Sequence, residues 1–385
     1  MRIGYLYDLQ VYPPRGGNHR HVIELVEGFL AAGHRVHVVD DPTMPGVVNY
    51  DSNPSALQDF IENIDILYVR IDARFIRRWA VLNQCMRYLA GQPVVWEINS
   101  PASENIAYSW LGGKLEAGSR QENVVSYLRR WFHAARQKPG IWLEERCRRR
   151  LAKQVSTAIC VSDAVGKYAR NDLGITDVLV LPNGGPLIGE AEIMQRRERR
   201  QHNRFTVLYS GSAIYPWQGL NFLIQVIELA AVKAPDITFV LAVNQNIAGL
   251  QQADNVVILE GLNQEEVRNA ICAADVCVAL VPEWPWAKYG FHLSPIKLFE
   301  YMAFMVPVLT SNHSQMRDVI KDGEDGYLTE NDPVSILDKI ISIRNNPAEA
   351  EKVARQAWMK IQTEYNWPHN VSETLGVFER ACSAR

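Results

Sequence analysis

What is scarce in this 385-residue chain narrows its possibilities first. Its six cysteines, Cys85, Cys147, Cys160, Cys272, Cys277 and Cys382, show no C-x-x-C spacing, and several sit inside apolar patterns. That argues against a zinc ribbon or a disulfide scaffold and leaves buried, reduced thiols. No apolar run approaches the roughly eighteen residues of a membrane span. Excess charge of one sign is missing too. With 40 Lys and Arg against 43 Asp and Glu, the net charge of −3 does not indicate bulk nucleic-acid binding. The N-terminus, Met1-Arg-Ile-Gly-Tyr-Leu-Tyr-Asp8, reads as a first strand rather than a signal peptide, so a cytoplasmic protein is expected. No solenoid repeat or low-complexity tract is visible.

What is present is a globular composition, 47% apolar, in a chain longer than one core usually serves. Strand-like apolar runs alternate with helical patterns, twice. The first half offers strands at Ile3–Tyr7, Val36–Val39, Ile64–Val69, Val94–Ile98, Ala158–Val161 and Val178–Leu181. The second offers Thr206–Tyr209, Ile237–Val243, Val256–Leu259, Val276–Val281 and Pro307–Thr310, with helices such as Leu220–Val232 and Glu265–Ala273. Continuous rather than alternating apolar runs imply parallel sheets covered on both faces. The expected fold class is therefore α/β, with two Rossmann-like, doubly wound domains. A polar, charged stretch ending near Asn203 marks the boundary, and an amphipathic helix from about Trp367 is placed to pack back on the first domain.

Two such sheets place a ligand between them, at the carboxyl ends of the strands. The loop Tyr12–His21 carries Gly16 and Gly17 ahead of a helix, which permits close backbone approach, although turn glycines without a ligand are equally ordinary. After the fourth strand, Glu97 and Asn99 either face the cleft or serve the turn. In the second domain Ser210–Leu220 is a second glycine-flanked loop. Pro282–His292 carries Trp284, Trp286, Tyr289 and Phe291, suited to stacking on sugar rings or to capping the core.

The most informative segment is Tyr289–Ala303. A loop enters a helix at Ser294-Pro295, with serine suited to the N-cap and proline to the first helical position. Lys297 then stands in the first turn, where the helix dipole disfavours a cation by roughly 0.3–1 kcal/mol unless an anion lies nearby. A phosphate would supply that anion. One turn on, Glu300 is placed to accept hydrogen bonds from hydroxyls such as those of a ribose. The plainer alternative is a local Lys297–Glu300 pair on a solvated helix.

The ordered set Gly16-Gly17 with Glu24-Leu25, Ala32–Val39, Val161-Ser162-Asp163, Leu181-Pro-Asn-Gly184, Leu208-Tyr-Ser-Gly211, Ser294–Ala303 and Asp322–Leu328 resembles a family-4 glycosyltransferase of the GT-B fold, and the resemblance spans nearly the whole chain. It implies an acceptor-side domain over 1–185 with 367–385 packed on it, a linker over 186–203, and a donor domain over 204–366. The domains would face each other across a cleft. It further implies a UDP- or GDP-sugar donor, retention of anomeric configuration and no essential metal. Glu300 matches the second glutamate of the family's E-x7-E motif, whereas His292 stands where the first is expected. That departure is shared by a subgroup with the form S-P-x-K-x-x-E-Y-M-A. The basic pair usual in the phosphate loop falls on Ser212 and Gln218, so Lys297, helped by Arg317 or Lys288, would neutralise the diphosphate.

On this reading Glu300, Leu293, Ser294, Gly211, Ser212, Gln218 and Gly261 hold the donor, and Gly16, Gly17, Asn99 and Glu97 face the acceptor. Backbone N–H groups of Leu293 and Ser294, the helix dipole and Lys297 would stabilise the leaving diphosphate. His292 and His21 are candidates for binding a hydroxyl or moving a proton. No Asp-x-Asp follows a strand where a metal-dependent transferase needs it. The basic, aromatic run Arg129–Lys153 either lies on anionic lipid, which would make the protein peripheral on the inner membrane face and the acceptor lipid-linked, or is a solvated helix. A nucleotide-sugar epimerase of the same fold and a non-catalytic two-lobed sugar-binding protein are the competing functions.

Overall fold

The computed structural model describes residues 1–14, 16–73, 75, 78–104, 124–198, 204–213, 216–244, 254–283 and 287–384, without the side chains of 124–131, 133, 134 and 216. Trp284 and Trp286 lie outside the described residues.

Two parallel sheets form, as the continuous apolar runs require. The first holds β1 (Arg2–Leu6), β2 (Arg35–Val39), β3 (Val48–Tyr50), β4 (Ile66–Ile71), β5 (Val94–Ile98), β6 (Thr157–Cys160) and β7 (Val178–Val180) in the order β3-β2-β1-β4-β5-β6-β7. The second holds β8 (Phe205–Gly211), β9 (Ile237–Val243), β10 (Val256–Glu260), β11 (Val276–Ala279), β12 (Val308–Ser311) and β13 (Tyr327–Thr329) in the order β10-β9-β8-β11-β12-β13. Both sheets reverse winding at their first strand. That puts crevices at β1/β4 and β8/β11. β3 (Val-Asn-Tyr) and β13 (Tyr-Leu-Thr) escape sequence reading because a polar residue breaks each, whereas the equally short β7 (Val-Leu-Val) lies in a continuous apolar run.

The helices around the first sheet are α1 (Gly17–Ala31), α2 (Pro54–Glu62), α3 (Trp79–Tyr88), α4 (Val124–Ala152) and α5 (Asp163–Tyr168). Those of the second part are α6 (Glu190–Arg197), α7 (Leu220–Lys233), α8 (Gln264–Ala273), α9 (Ile296–Ala303), α10 (Ser314–Val319), α11 (Pro333–Asn345), α12 (Pro347–Thr363) and α13 (Trp367–Ser383). Among the described residues no helix is long and apolar enough to cross a membrane.

The described part of 186–203, expected as a connection, is more than a strap. Ile193 of α6 is fully buried in the second lobe's core, and Trp358 Nε1 donates to the Ile188 carbonyl at 2.9 Å. The chain crosses between lobes twice, side by side. The Gly185 N–H donates to Tyr365 O at 2.8 Å, and Asn370 Nδ2 donates to Pro182 O at 2.8 Å. Only a glycine fits at 184, where a Cβ would lie 2.5 Å from the Asn366 carbonyl carbon. α13 then covers α1 in the first lobe. Phe378 meets Tyr68 edge-on at 5.0 Å, and a Cβ on Gly28 would stand 2.3 Å from Val371 Cγ2. Pro368 sits at the start of this helix, where proline fits, and interrupts nothing.

Candidate active site

The loop after β8 brings Gly211, Ser212 and Gln218 to the β8/β11 crevice, and the loop after β11 delivers α9 to the same place. Gly211 has φ 152°, and a Cβ there would lie 2.8 Å from Lys297 Nζ, 2.9 Å from Gln218 Oε1 and 3.2 Å from the Tyr209 hydroxyl. The amine and the amide oxygen thus converge on the open side of one glycine. Lys297 Nζ lies 4.2 Å above the Tyr209 ring. The residue as a whole is half-buried, yet Nζ itself is sealed from solvent, and among the described residues neither it nor Gln218 Oε1 has a hydrogen-bond partner. Burial pushes the Lys297 ammonium down to about 7, and Glu300 opposes this only through space. The local Lys297–Glu300 hydrogen bond of the plainer reading is absent.

Burial also raises the Glu300 carboxyl, while Arg20 and Arg268 act to lower it, Glu24 to raise it and Lys297 to lower it. Arg20 comes from the first lobe, on α1, where it also pairs with Glu24 at 2.9 Å. The sequence reading looked to Arg317 and Lys288 for help near the phosphate. Arg317 is exposed, and Lys288 pairs with Asp172 of the first lobe at 2.5 Å. Arg268 had no motif to announce it, and Arg20 and Tyr209 stood within Tyr12–His21 and Leu208–Gly211 without being singled out.

The expected cap is corrected. α9 begins at Ile296 with Pro295 as its N-cap, and no side chain caps it. Ser294 is drawn instead into a contact between lobes: its Oγ accepts from the Asn183 N–H at 2.9 Å, and its carbonyl accepts from Asn183 Nδ2 at 2.6 Å. Lys297 remains in the first turn. The start of α1 meets the start of α9 closely, since a Cβ on Gly17 would be 3.3 Å from Ile296 Cδ1. Gly16, the N-cap of α1, faces open space on its Cβ side and supplies no side-chain cap. Two helix N-termini therefore point into one region.

His292 is 3% exposed, and its Nε2 stands 3.3 Å from Glu104 Oε2 of the first lobe. Its carbonyl accepts a hydrogen bond from Ser162 Oγ at 2.7 Å, and nearby Gln315 Nε2 donates to Val161 O at 2.5 Å. Within the aromatic loop, Phe291 joins the second lobe's core, so there the core-capping alternative holds. Tyr289 instead packs on the first lobe's core and donates to Asp172 at 3.2 Å. Leu293 is half-buried against the second core. Gly261, at φ 67°, ends the outer strand β10 rather than standing at the switch point.

On the first lobe Glu97 does not front the cleft. It is 1% exposed and accepts from Tyr5 OH at 2.6 Å, Arg70 at 2.5 Å and Asn99 Nδ2 at 2.8 Å. Asn99 is itself buried in serving it. His21 Nε2 lies 2.7 Å from Glu97 Oε1, close enough for an ion pair but out of line for a hydrogen bond. Burial alone would raise the Glu97 carboxyl, but His21, Arg70 and the Tyr5 hydroxyl hold it well below the usual carboxylate range. His21 Nδ1 meets Asn183 Oδ1 at 2.6 Å. His21 is 6% exposed and its Nδ1 is taken by Asn183, which leaves little of the ring open to a substrate.

Comparison with known proteins agrees with this architecture. Residues 15–186 match the model described as Glycosyltransferase Family 4, and residues 204–346 match Glycosyl transferases group 1. The phosphatidyl-myo-inositol mannosyltransferase of Mycobacterium tuberculosis (strain ATCC 25618 / H37Rv) is 24% identical, covering 98% of this chain and 97% of that protein. Sucrose-phosphate synthase from Thermosynechococcus elongatus superposes with a TM-score of 0.69 at 15% identity, over 100% of both chains. Anabaena Alr3699/HepE in complex with UDP-glucose superposes at 0.64 with 14% identity, over 98% of this chain and 100% of that one. With one matched model on each lobe and GT-B enzymes as structural neighbours, the chain is a glycosyltransferase of the GT-B fold, built from a family 4 domain followed by a group 1 domain.

Proposed function

We propose that the protein moves a sugar, with retention of anomeric configuration, from a UDP- or GDP-sugar on the second lobe (204–366) to a hydroxyl of a glycan, lipid-linked or small-molecule acceptor on the first (1–185). One observation carries the reading: among the described residues, Lys297 Nζ is buried without a hydrogen-bond partner beside an equally unpartnered Gln218 Oε1. An unmet buried polar group costs roughly 1–3 kcal/mol, more if charged, so this arrangement suits a state with a ligand in place. Two helix N-termini converging on the same region favour an anion there. The diphosphate of a nucleotide sugar meets Lys297 and the helix ends, with Gln218 turning its Nε2 donor rather than Oε1 toward it.

In this mechanism Lys297, the start of α9 and the backbone at Leu293 and Ser294 stabilise charge on the departing diphosphate. Glu300 accepts from the ribose hydroxyls, and Gly211, Ser212 and Gln218 border the phosphates. His292, held by Glu104, binds a hydroxyl of the transferred sugar, and the acceptor proton passes to the leaving phosphate oxygen. Lys297 takes the place a metal would fill, so no essential metal is expected. The histidine at position 292 fits the subgroup with the form S-P-x-K-x-x-E-Y-M-A.

The acceptor side has a further feature. The acids of α4 turn inward: Glu144 pairs with Arg148 at 2.6 Å, and Glu145 accepts from Tyr168 at 2.7 Å. Arg136, Lys138, Arg146, Arg149, Arg150 and Lys153 remain exposed, interleaved with exposed Phe132, Trp142 and Leu143. Such a face suits anionic lipid and hence a lipid-linked acceptor at the membrane surface. Curated relatives named as mannosyltransferases of a phospholipid support this choice of acceptor class.

The deciding experiment incubates the protein with UDP- and GDP-sugars, with and without EDTA and candidate acceptors. Nucleotide release that requires acceptor and survives EDTA is expected. Isomerisation without acceptor would favour an epimerase, and binding without turnover a sugar-binding protein. Sedimentation with phosphatidylglycerol but not phosphatidylcholine vesicles is expected of α4.

A further inference from the structure

A line of contacts runs from the buried centre of the first lobe to the start of α9. At its origin, Tyr5, Arg70 and Asn99 fix the Glu97 carboxylate. Glu97 faces His21 Nε2 at 2.7 Å, and the edge of the ring packs against Trp367 at 5.4 Å between centroids. The next link has only one orientation. Asn183 Nδ2, which can only donate, faces the Ser294 carbonyl at 2.6 Å, so Asn183 Oδ1 must be the atom that meets His21 Nδ1 at 2.6 Å. His21 Nδ1 therefore carries a hydrogen. Asn183 adds a second hold through its backbone N–H to Ser294 Oγ at 2.9 Å.

We propose that His21 is a positioning residue for the phosphate-binding end of α9, acting through Asn183. Glu97 orients the ring, the ring orients the Asn183 amide, and the amide fixes Ser294, which leads directly into the first turn and Lys297. Nucleotide affinity would then depend on a first-lobe side chain that never touches the nucleotide, because the donors aimed at the diphosphate need a fixed backbone at Ser294. The proposal rests on the diphosphate reading of Lys297.

Two substitutions separate positioning from general support, because an asparagine amide can stand where Nδ1 does and a glutamine amide where Nε2 does. His21→Asn keeps the link to Asn183 and loses Glu97. His21→Gln does the reverse. Calorimetric titration of the full-length protein with UDP and with GDP should show His21→Asn within about threefold of wild type. His21→Gln should be weaker by about tenfold, the weight of one or two hydrogen bonds. Asn183→Asp, which keeps an acceptor for His21 but sets a carboxylate against the Ser294 carbonyl, should match His21→Gln. Thermal melts of the two His21 variants should agree. If His21→Gln binds like wild type, or if both His21 variants weaken together in proportion to lost melting temperature, the positioning role is overturned and a structural one remains. Failure of wild type to bind either nucleotide would instead overturn the diphosphate reading and this inference with it.

Discussion

Two buried clusters of charge lie on opposite sides of the cleft, and they are built on opposite principles. Around Glu97, donors and a cation surround the carboxylate, which is held ionised far below its usual range. Around Lys297, the nearest polar atoms are left open and burial pulls the amine down to about 7. A low-dielectric interior makes satisfied networks rigid and unsatisfied ones costly. The difference separates structure from readiness to bind: the first cluster is complete in itself, and the second, on the proposed reading, is completed by the donor diphosphate.

The largest effect that would break this contrast is at Glu97. Glu97→Gln leaves Arg70 and His21 without their shared counter-charge, and breaking such a buried set is expected to cost roughly 3–5 kcal/mol in chemical denaturation. A melt unchanged from wild type would show the cluster is not structural.

Next is Lys297→Gln, which should lower turnover by about a hundredfold or more, as loss of a group stabilising transition-state charge does. Its stability without ligand should be unchanged or raised by a few tenths of a kcal/mol. A variant that melts lower yet transfers sugar normally would make Lys297 structural and erase the contrast.

Glu300→Ala should weaken nucleotide binding at least about tenfold by removing charge-assisted hydrogen bonds to the ribose, read by calorimetry. Equal loss of affinity for a ribose-free diphosphate such as pyrophosphate would assign Glu300 to the phosphates instead.

The smallest effect is a proton. With Lys297 at about 7 in the free protein, the amine is largely neutral at pH 8.5, and a bound diphosphate restores its charge. Titrations in buffers of different ionisation enthalpy should therefore show uptake of up to about one proton per nucleotide, absent in Lys297→Gln. The sign for stability is opposite to that of an ordinary salt-bridged lysine. Between about 7 and the ordinary lysine value of 10.5 the unfolded chain holds the proton and the folded one does not, so this group's contribution rises with pH across that window.

Much of this was legible along the chain. Continuous apolar runs announced both sheets, with Val94–Ile98 and Ile237–Val243 read to the residue. Lys297 in a first helical turn after a glycine loop pointed to an anion. Ser294 misled, because its suitability as an N-cap is a local property and its contact with Asn183 is not. Glu97 misled likewise, since a polar residue ending a strand faces the cleft or the core with no difference in the letters around it. The segment Leu181-Pro-Asn-Gly184 contributed to the resemblance without revealing that Asn183 joins the lobes.

The sequence by itself determined the elements and the chemistry on offer, because helix and strand periods and turn residues act over a few positions. Only the tertiary structure decided which polar atoms would be met. His21 finds Asn183 across 162 positions and Asn183 finds Ser294 across 111, while Lys297, with a tyrosine ring beneath it, finds no hydrogen-bond partner among the described residues. Burial and partnership over such separations depend on how two lobes pack, and no local pattern encodes that.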